Sequence, residues 1–150
     1  MKGYLKYSLS IPVFAAVFLL AVTALPAQEQ PADAYARTVM VHITSDENHR
    51  VLMGVQHAKA MLDSGKNVAV LLDVDGVKAG VNQPDSNLSA SNDLLQQFLA
   101  DGGRVIACQH CVGMAGFSMS DMLPGVEIDS HPNMPKMQRL IDSGAVILDY

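Results

Sequence analysis

The sequence predicts an α/β fold, a three-layer sandwich built on a mostly parallel sheet of about four to five strands. The first reason is that short apolar runs alternate along the chain with segments whose apolar residues recur at helical spacing. The second is the run at residues 67–72, which is apolar without alternation. Such a run is typical of a parallel strand that is covered on both faces.

The elements follow one another in a regular order. Strands are predicted at residues 38–43, 67–72, 104–107, 126–128 and 145–148. Helices are predicted at residues 50–64, 92–100 and 132–143, and a glycine follows each within two residues, as is usual at helix ends. Ser91 is expected to cap the second helix, and residues 73–92 are expected to form a loop because they contain Gly76, Gly80 and Pro84.

The N-terminus predicts an export signal. Lys2 and Lys6 precede an apolar stretch at residues 9–25, and Ala24 and Ala27 offer small residues for cleavage. The stretch is short for a membrane span, so we expect cleavage and no membrane attachment afterwards. Export would place the protein in the periplasm if its source is a Gram-negative bacterium. The predicted organisation is a signal at residues 1–27, a flexible lead-in at residues 28–37 and one domain at residues 38–150.

Charge and composition exclude several classes of function. Removing the predicted signal leaves eight basic and fifteen acidic residues, a net charge of −7. This balance argues against nucleic acid as a partner, because phosphate binding needs a basic face. The chain has no Trp, which argues against large stacking surfaces for sugars or bases. It also has no Walker motif and no GxGxxG, and we expect no cofactor.

Cys108 and Cys111 are the only cysteines, and they directly follow the third predicted strand. Two thiols at this spacing can form a disulfide, carry a persulfide or hold a soft metal. A strand-to-helix junction supplies free N–H groups and the positive end of the helix dipole, which lower the pKa of a thiol at the position of Cys108. Cys111 could then resolve a persulfide on Cys108 by forming the disulfide and releasing sulfide.

Other polar residues are weaker candidates. His110 lies between the two cysteines and could lower their pKa or donate a proton to a leaving thiolate, or it could be an exposed turn residue. His42 lies within the first strand and is interpreted as a core or edge residue. Asp73 and Asp75 follow the second strand and are interpreted as turn residues before Gly76.

The C-terminal half carries a family resemblance. Residues 106–111 read Ile-Ala-Cys-Gln-His-Cys, and Gly116, Ser118 and the segment Asp-Met-Leu-Pro-Gly-Val-Glu at residues 121–127 follow. A proline-containing helix and a final strand preceded by Gly144 complete the pattern. This half resembles the DsrE/DsrF-like family, and the order of elements over residues 38–150 agrees.

The resemblance implies a fold, an assembly and a site. Members of that family are small Rossmann-like α/β proteins that associate as trimers or hexamers, and several pass persulfide sulfur from one cysteine to the next. Their sulfur-accepting cysteine ends the third strand, eight residues before a glycine. In this sequence Cys108 and Gly116 have that spacing. Cys111 matches a second cysteine that a subset of members carries.

The leading hypothesis is therefore an exported homo-oligomer that handles sulfur through Cys108, with Cys111 and His110 assisting. It would be a sulfur carrier more than an enzyme with turnover, and its partners would be thiol or persulfide donor and acceptor proteins. One alternative is a copper-binding module that uses Cys108, Cys111, His110 and Met114. A second is a non-catalytic oligomeric subunit with a static disulfide. Methionines are numerous at residues 114–137, and packing in the core or at an interface is favoured for them over copper ligation.

Overall fold

The computed structural model describes residues 38–150, which form a five-stranded sheet flanked by helices. All four pairings between neighbouring strands are parallel, and the strand order is β4-β3-β2-β1-β5. The predicted α/β fold with a parallel sheet is confirmed. The strands are β1 (Val39–Ile43), β2 (Val68–Leu72), β3 (Arg104–Cys108), β4 (Glu127–Asp129) and β5 (Val146–Asp149).

Within residues 38–150, four α-helices and three short 3₁₀ segments connect the strands. The helices are α1 (Asn48–Asp63), α2 (Ser89–Ala100), α3 (Gln109–Met114) and α4 (Pro135–Asp142). The 3₁₀ segments are Val74–Gly80, Ser86–Leu88 and Met119–Asp121. The stretch predicted to be a loop is therefore partly helical, and Val77 and Ala79 within it are fully buried.

The two faces of the sheet are covered by different helices because side chains alternate along each strand. Val41, Val70 and Val105 face a core that includes residues of α1 and α2. Met40, Leu71 and Ile106 face the opposite side, where Met134 and Leu140 from the α4 region pack on them. Every residue of β2 is buried, as its uninterrupted apolar sequence predicts. The result is three layers.

The segment after β2 is pressed against the end of β1. A side-chain carbon added at Gly76 would overlap the carbonyl oxygen of Ile43, so only glycine allows this approach. Asp73 N–H donates to the same carbonyl at 2.9 Å. These contacts hold Asp73 at the carboxyl end of the sheet.

Helix starts differ from the predictions at two places. Ser91 lies inside α2 and is buried, because the helix begins earlier, at Ser89. The last helix begins at Pro135 instead of residue 132, and Met134 before it has a left-handed backbone with φ +41°. Proline is favoured in the first turn of a helix and disfavours helical geometry in the residue that precedes it, which explains this boundary.

Carboxylate side chains of β4 interact with the first turn of α4. The buried carboxylate of Asp129 accepts hydrogen bonds from the N–H groups of Lys136 at 2.9 Å and Met137 at 2.8 Å. Glu127 in the same strand pairs with Arg104 and Lys136 at 2.9 and 2.8 Å. The Asp129 carboxylate thus satisfies helix N–H groups that the sequence of α4 itself does not cap, and Glu127 adds a side-chain ion pair with Lys136 of the same helix.

The predicted signal and lead-in lie outside the described residues. Within residues 38–150, no helix has the length and apolar character that crossing a bilayer requires.

Candidate thiol site

Polar and sulfur-containing side chains meet at the carboxyl edge of the sheet. His42 is near the end of β1, Asp73 follows β2, Cys108 ends β3 and Asp149 ends β5. Because the strands are parallel and adjacent, their carboxyl ends bring these residues to one edge. Cys111 joins them from the first turn of α3.

The two cysteines form a close pair of free thiols. Their Sγ atoms are 2.6 Å apart, and the N–H of Cys111 donates to Cys108 Sγ at 3.3 Å. Cys108 has extended backbone angles and is the N-cap residue of α3. The CxxC therefore lies at a strand-to-helix junction, as the sequence predicts.

The thiols differ in their access to solvent. Cys108 is only 3% exposed, whereas Cys111 is partly exposed. Cys111 lines an open cavity of about 540 Å³. The other lining residues are Val74, Asp75, Lys78, His110, Met114 and Ala115. A molecule in this cavity therefore contacts Cys111 before it can reach Cys108.

Asp73 contacts the thiol pair directly. Its Oδ1 accepts hydrogen bonds from the Cys111 thiol at 2.8 Å and from the N–H of Val74 at 2.9 Å. Burial alone would raise the pKa of Asp73, but these hydrogen bonds outweigh it and leave the pKa below its usual value. Burial, together with the neighbouring Asp73 carboxylate and Cys108, raises the pKa of Cys111 to about 12. Cys111 is thus a protonated thiol at neutral pH.

His42 lies on the far side of Asp73. Its Nδ1 is 2.7 Å from Asp149 Oδ1. Its Nε2 is 3.5 Å from Asp73 Oδ2 and, although buried, has no hydrogen-bond partner in the described structure. The imidazole therefore stands between two carboxylates.

The sequence interpretation does not place His42 and Asp73 beside the cysteines, where the structure finds them. His42 pairs in register with Leu71 and with Asp149, and Asp73 is two residues beyond Leu71 and so shares its face of the sheet. The signal that could have found them is their shared position at the ends of adjacent parallel strands. Using that signal requires the strand order, which the sequence does not state.

His110 and Met114 lie beside the thiol pair, in the lining of the same cavity. The ring of His110 stacks on that of His131, with centroids 4.5 Å apart. Met114 is 76% exposed. Both residues share the cavity with Cys111, so each could contact a molecule bound there.

A metal ion is the other possible occupant of this cluster. One ligand atom each from Asp73, Cys108 and Cys111 lie within 4.8 Å of one another, and His110 is not part of this compact group. The two sulfurs of this group are also in direct contact, which places them to react with each other.

Comparison with known families identifies the chain's relatives. The model of the DsrE/DsrF-like family matches residues 37–147. The chain belongs to the DsrE/DsrF-like family. The resemblance noted in the sequence is thereby confirmed, and Cys108 and Cys111 lie within the matched range.

Two solved structures of this DsrE/DsrF-like type are similar in fold. MTH1491 from Methanobacterium thermoautotrophicum, a protein of unknown function, is 19% identical with a TM-score of 0.61. The YchN protein from E. coli is 20% identical with a TM-score of 0.63. Each alignment covers 77% of this chain and 99% of the other. A search of the curated proteins found no match. At these identities the structural similarity shows the fold alone.

Proposed function

We propose that this protein is a sulfur carrier that accepts persulfide sulfur on Cys108 and releases or transfers it with the help of Cys111. Membership of the DsrE/DsrF-like family supports a sulfur-relay type of fold. The observation that carries the proposal is the pair of free thiols whose sulfurs are 2.6 Å apart beside an open cavity. Sulfurs so close can exchange a sulfur atom or form a disulfide with little movement.

The two thiols lie in different environments, which suggests different chemical roles for them. Cys108 Sγ accepts a hydrogen bond from the N–H of Cys111, whereas the single proton of the Cys111 thiol is donated to Asp73 Oδ1. Cys111, with its pKa raised to about 12, stays protonated and serves as a donor. We therefore assign Cys108 as the nucleophile and Cys111 as the resolving thiol.

In the loading step, the Cys108 sulfur attacks the outer sulfur of a donor persulfide, R–S–SH. The donor's S–S bond breaks, R–SH leaves with the proton that Cys108 loses, and Cys108–S–SH remains. Because Cys108 is nearly inaccessible, the Cys111 side chain must first rotate away from it. The cavity that Cys111 lines provides room for that rotation and for the donor.

In the unloading step, the sulfur has two routes. An acceptor thiol can take the outer sulfur of Cys108–S–SH, which regenerates the Cys108 thiol. Alternatively, Cys111 attacks the inner sulfur, forms the Cys108–Cys111 disulfide and releases hydrosulfide. The disulfide must then be reduced by a partner dithiol before another cycle. Both routes imply protein partners with reactive thiols.

We also propose that the carrier is a homo-oligomer that works after export. Strand β5 is an edge strand of the described sheet, and the side chains of Val146 and Ile147 on it are 57% and 43% exposed. Association with a second copy would bury these apolar side chains. It would also cover an edge strand whose unpaired backbone groups could otherwise pair with other chains. Size-exclusion chromatography with light scattering tests the assembly, and detection of the protein in the periplasmic fraction tests the location.

The decisive experiment is intact mass spectrometry of the reduced protein before and after incubation with polysulfide. We expect a gain of one or more whole sulfur atoms in the wild type and in Cys111→Ser, and none in Cys108→Ser. Peptide mapping should locate the added sulfur on Cys108. Sulfur found on Cys111 instead, or a protein that never gains sulfur, would overturn the assignment. Addition of copper or zinc before polysulfide reports whether a metal blocks the same thiols.

A further inference from the structure

We propose that Asp73 is the base that takes the proton of Cys111 in the sulfur-releasing step, and that His42, held by Asp149, positions Asp73 for this role. The inference rests on the proposed function and adds residues to it. In the sequence, Asp73 is part of an ordinary Asp-rich turn and His42 a residue within a strand. The structure brings the two into one array with the thiols.

The contact between Asp73 and Cys111 is the first argument. A resolving thiol must lose its proton as its sulfur attacks, and a base must lie within hydrogen-bond reach to accept it. Asp73 Oδ1 is 2.8 Å from Cys111 Sγ, within that reach. Two other candidate bases line the cavity, but the ring of His110 is stacked on His131 and Asp75 is paired with Lys78 at 2.7 Å.

The backbone after Asp73 is the second argument. Val74 has φ +47°, a left-handed conformation that a β-branched residue rarely adopts. Strain of this kind persists where the surroundings hold the chain in a required geometry, and it is concentrated at functional sites. Here the turn lets the N–H of Val74 donate to Asp73 Oδ1, which aims the carboxylate at Cys111.

The third argument is the arrangement of His42 and Asp149 next to Asp73. Asp149, whose side chain is 74% exposed, contacts His42 Nδ1, so His42 Nε2 is turned toward Asp73 Oδ2. Because Nδ1 faces a carboxylate, it donates to Asp149, and Nε2 can donate to Asp73 Oδ2 only in the doubly protonated ring. Nε2 has no other partner in the described structure, and an imidazole in this position orients the Asp73 carboxylate. His42 touches neither sulfur in the described contacts and therefore acts through Asp73.

The sulfur-releasing step conserves atoms and electrons. Cys111 Sγ forms a bond to Cys108 Sγ while the S–S bond within Cys108–S–SH breaks, and the bonding electrons leave with the outer sulfur as hydrosulfide. The Cys111 proton passes to Asp73 Oδ1 and then to the departing hydrosulfide, so Asp73 ends as it began. Cys108 and Cys111 are together oxidised by two electrons, and the outer sulfur is reduced to sulfide.

The test separates loading from release. Wild type and variants are loaded with polysulfide, freed of excess, and followed for sulfide release and disulfide formation. We expect Asp73→Asn still to load on Cys108 but, at neutral pH, to release sulfide about 100-fold more slowly, the size of effect that loss of a general base produces. The difference from wild type should shrink as the pH rises and the Cys111 thiol ionises without a base. Asp73→Glu, which restores a carboxylate, should release faster than Asp73→Asn. Asp93→Asn, at an exposed site on α2, is the matched control and should release at the wild-type rate.

His42 is tested by a conservative pair of variants. His42→Gln can place an amide donor near the position of Nε2 and should keep most of the release rate, whereas His42→Leu should approach Asp73→Asn. Equal loss in both variants would mean that His42 acts only as a packing residue. An Asp73→Asn protein that loads and then releases sulfide at the wild-type rate would overturn the inference and leave the carrier function standing. A wild type that never loads would instead overturn the carrier function itself.

Discussion

The Cys111 thiol donates a hydrogen bond to Asp73 Oδ1 at 2.8 Å, across the carboxyl ends of two adjacent parallel strands. This contact makes the two cysteines chemically different although only two residues separate them. It holds Cys111 as a neutral donor and leaves Cys108 as the acceptor of hydrogen bonds.

Removing the Asp73 charge should make Cys111 easier to ionise. Burial and the Asp73 carboxylate raise its pKa to about 12, so the thiol is almost wholly protonated at neutral pH. In a Cys108→Ser background, Asp73→Asn should lower that pKa, and each unit of lowering raises the thiolate fraction about tenfold. The rate of iodoacetamide alkylation as a function of pH measures the change. An alkylation profile that does not move would show that burial alone sets the pKa.

Gly76 should not tolerate a side chain. The added carbon of Gly76→Ala would overlap the Ile43 carbonyl oxygen, so the segment that presents Asp73 must shift. We expect a loss of roughly 2 kcal/mol or more in the free energy of unfolding, as for other steric conflicts with buried backbone. Urea denaturation measures it. Gly113→Ala is the matched control, because nothing lies within 4 Å of the added carbon and alanine favours the helix.

Asp129 should stabilise α4 from outside that helix. Its buried carboxylate accepts two N–H groups of the first turn, and Asp129→Ala would leave both without this acceptor. Loss of such a cap costs about 1–2 kcal/mol, which chemical denaturation can resolve. Asp142→Ala, at the exposed last residue of the same helix, should change stability by less than about 0.5 kcal/mol. Equal losses in the two variants would contradict the capping role.

Glu127 should make stability depend on pH in the acidic range. Burial raises its pKa, but Arg104 and Lys136 outweigh burial, so the folded-state pKa is lower than in the unfolded chain. The stabilisation is therefore fully present above the unfolded-state pKa and is lost as pH falls through the folded-state pKa. The melting temperature of Glu127→Gln should fall less steeply on acidification than that of wild type. Parallel curves would show that these ion pairs contribute nothing measurable.

Much of the fold follows from local patterns. The apolar run of β2 and the helical spacing of α1 depend on neighbouring residues only, so their positions are predicted to within a few residues. The 3₁₀ segment Val74–Gly80 is not predicted because its glycines indicate a loop, whereas in the tertiary structure Gly76 packs against Ile43 and Val77 and Ala79 enter the core. The start of α2 was misplaced for a related reason, since Ser91 is a good cap in isolation but is buried within the helix.

The sequence by itself determined the α/β class, the CxxC at the end of β3 and the family, because each depends on residues that are close together along the chain. Only the tertiary structure decided which groups surround the thiols. Asp73 is 38 residues from Cys111, and His42 and Asp149 are 107 residues apart. Their proximity depends on the order β3-β2-β1-β5 of parallel strands, and no local pattern encodes which strands become neighbours.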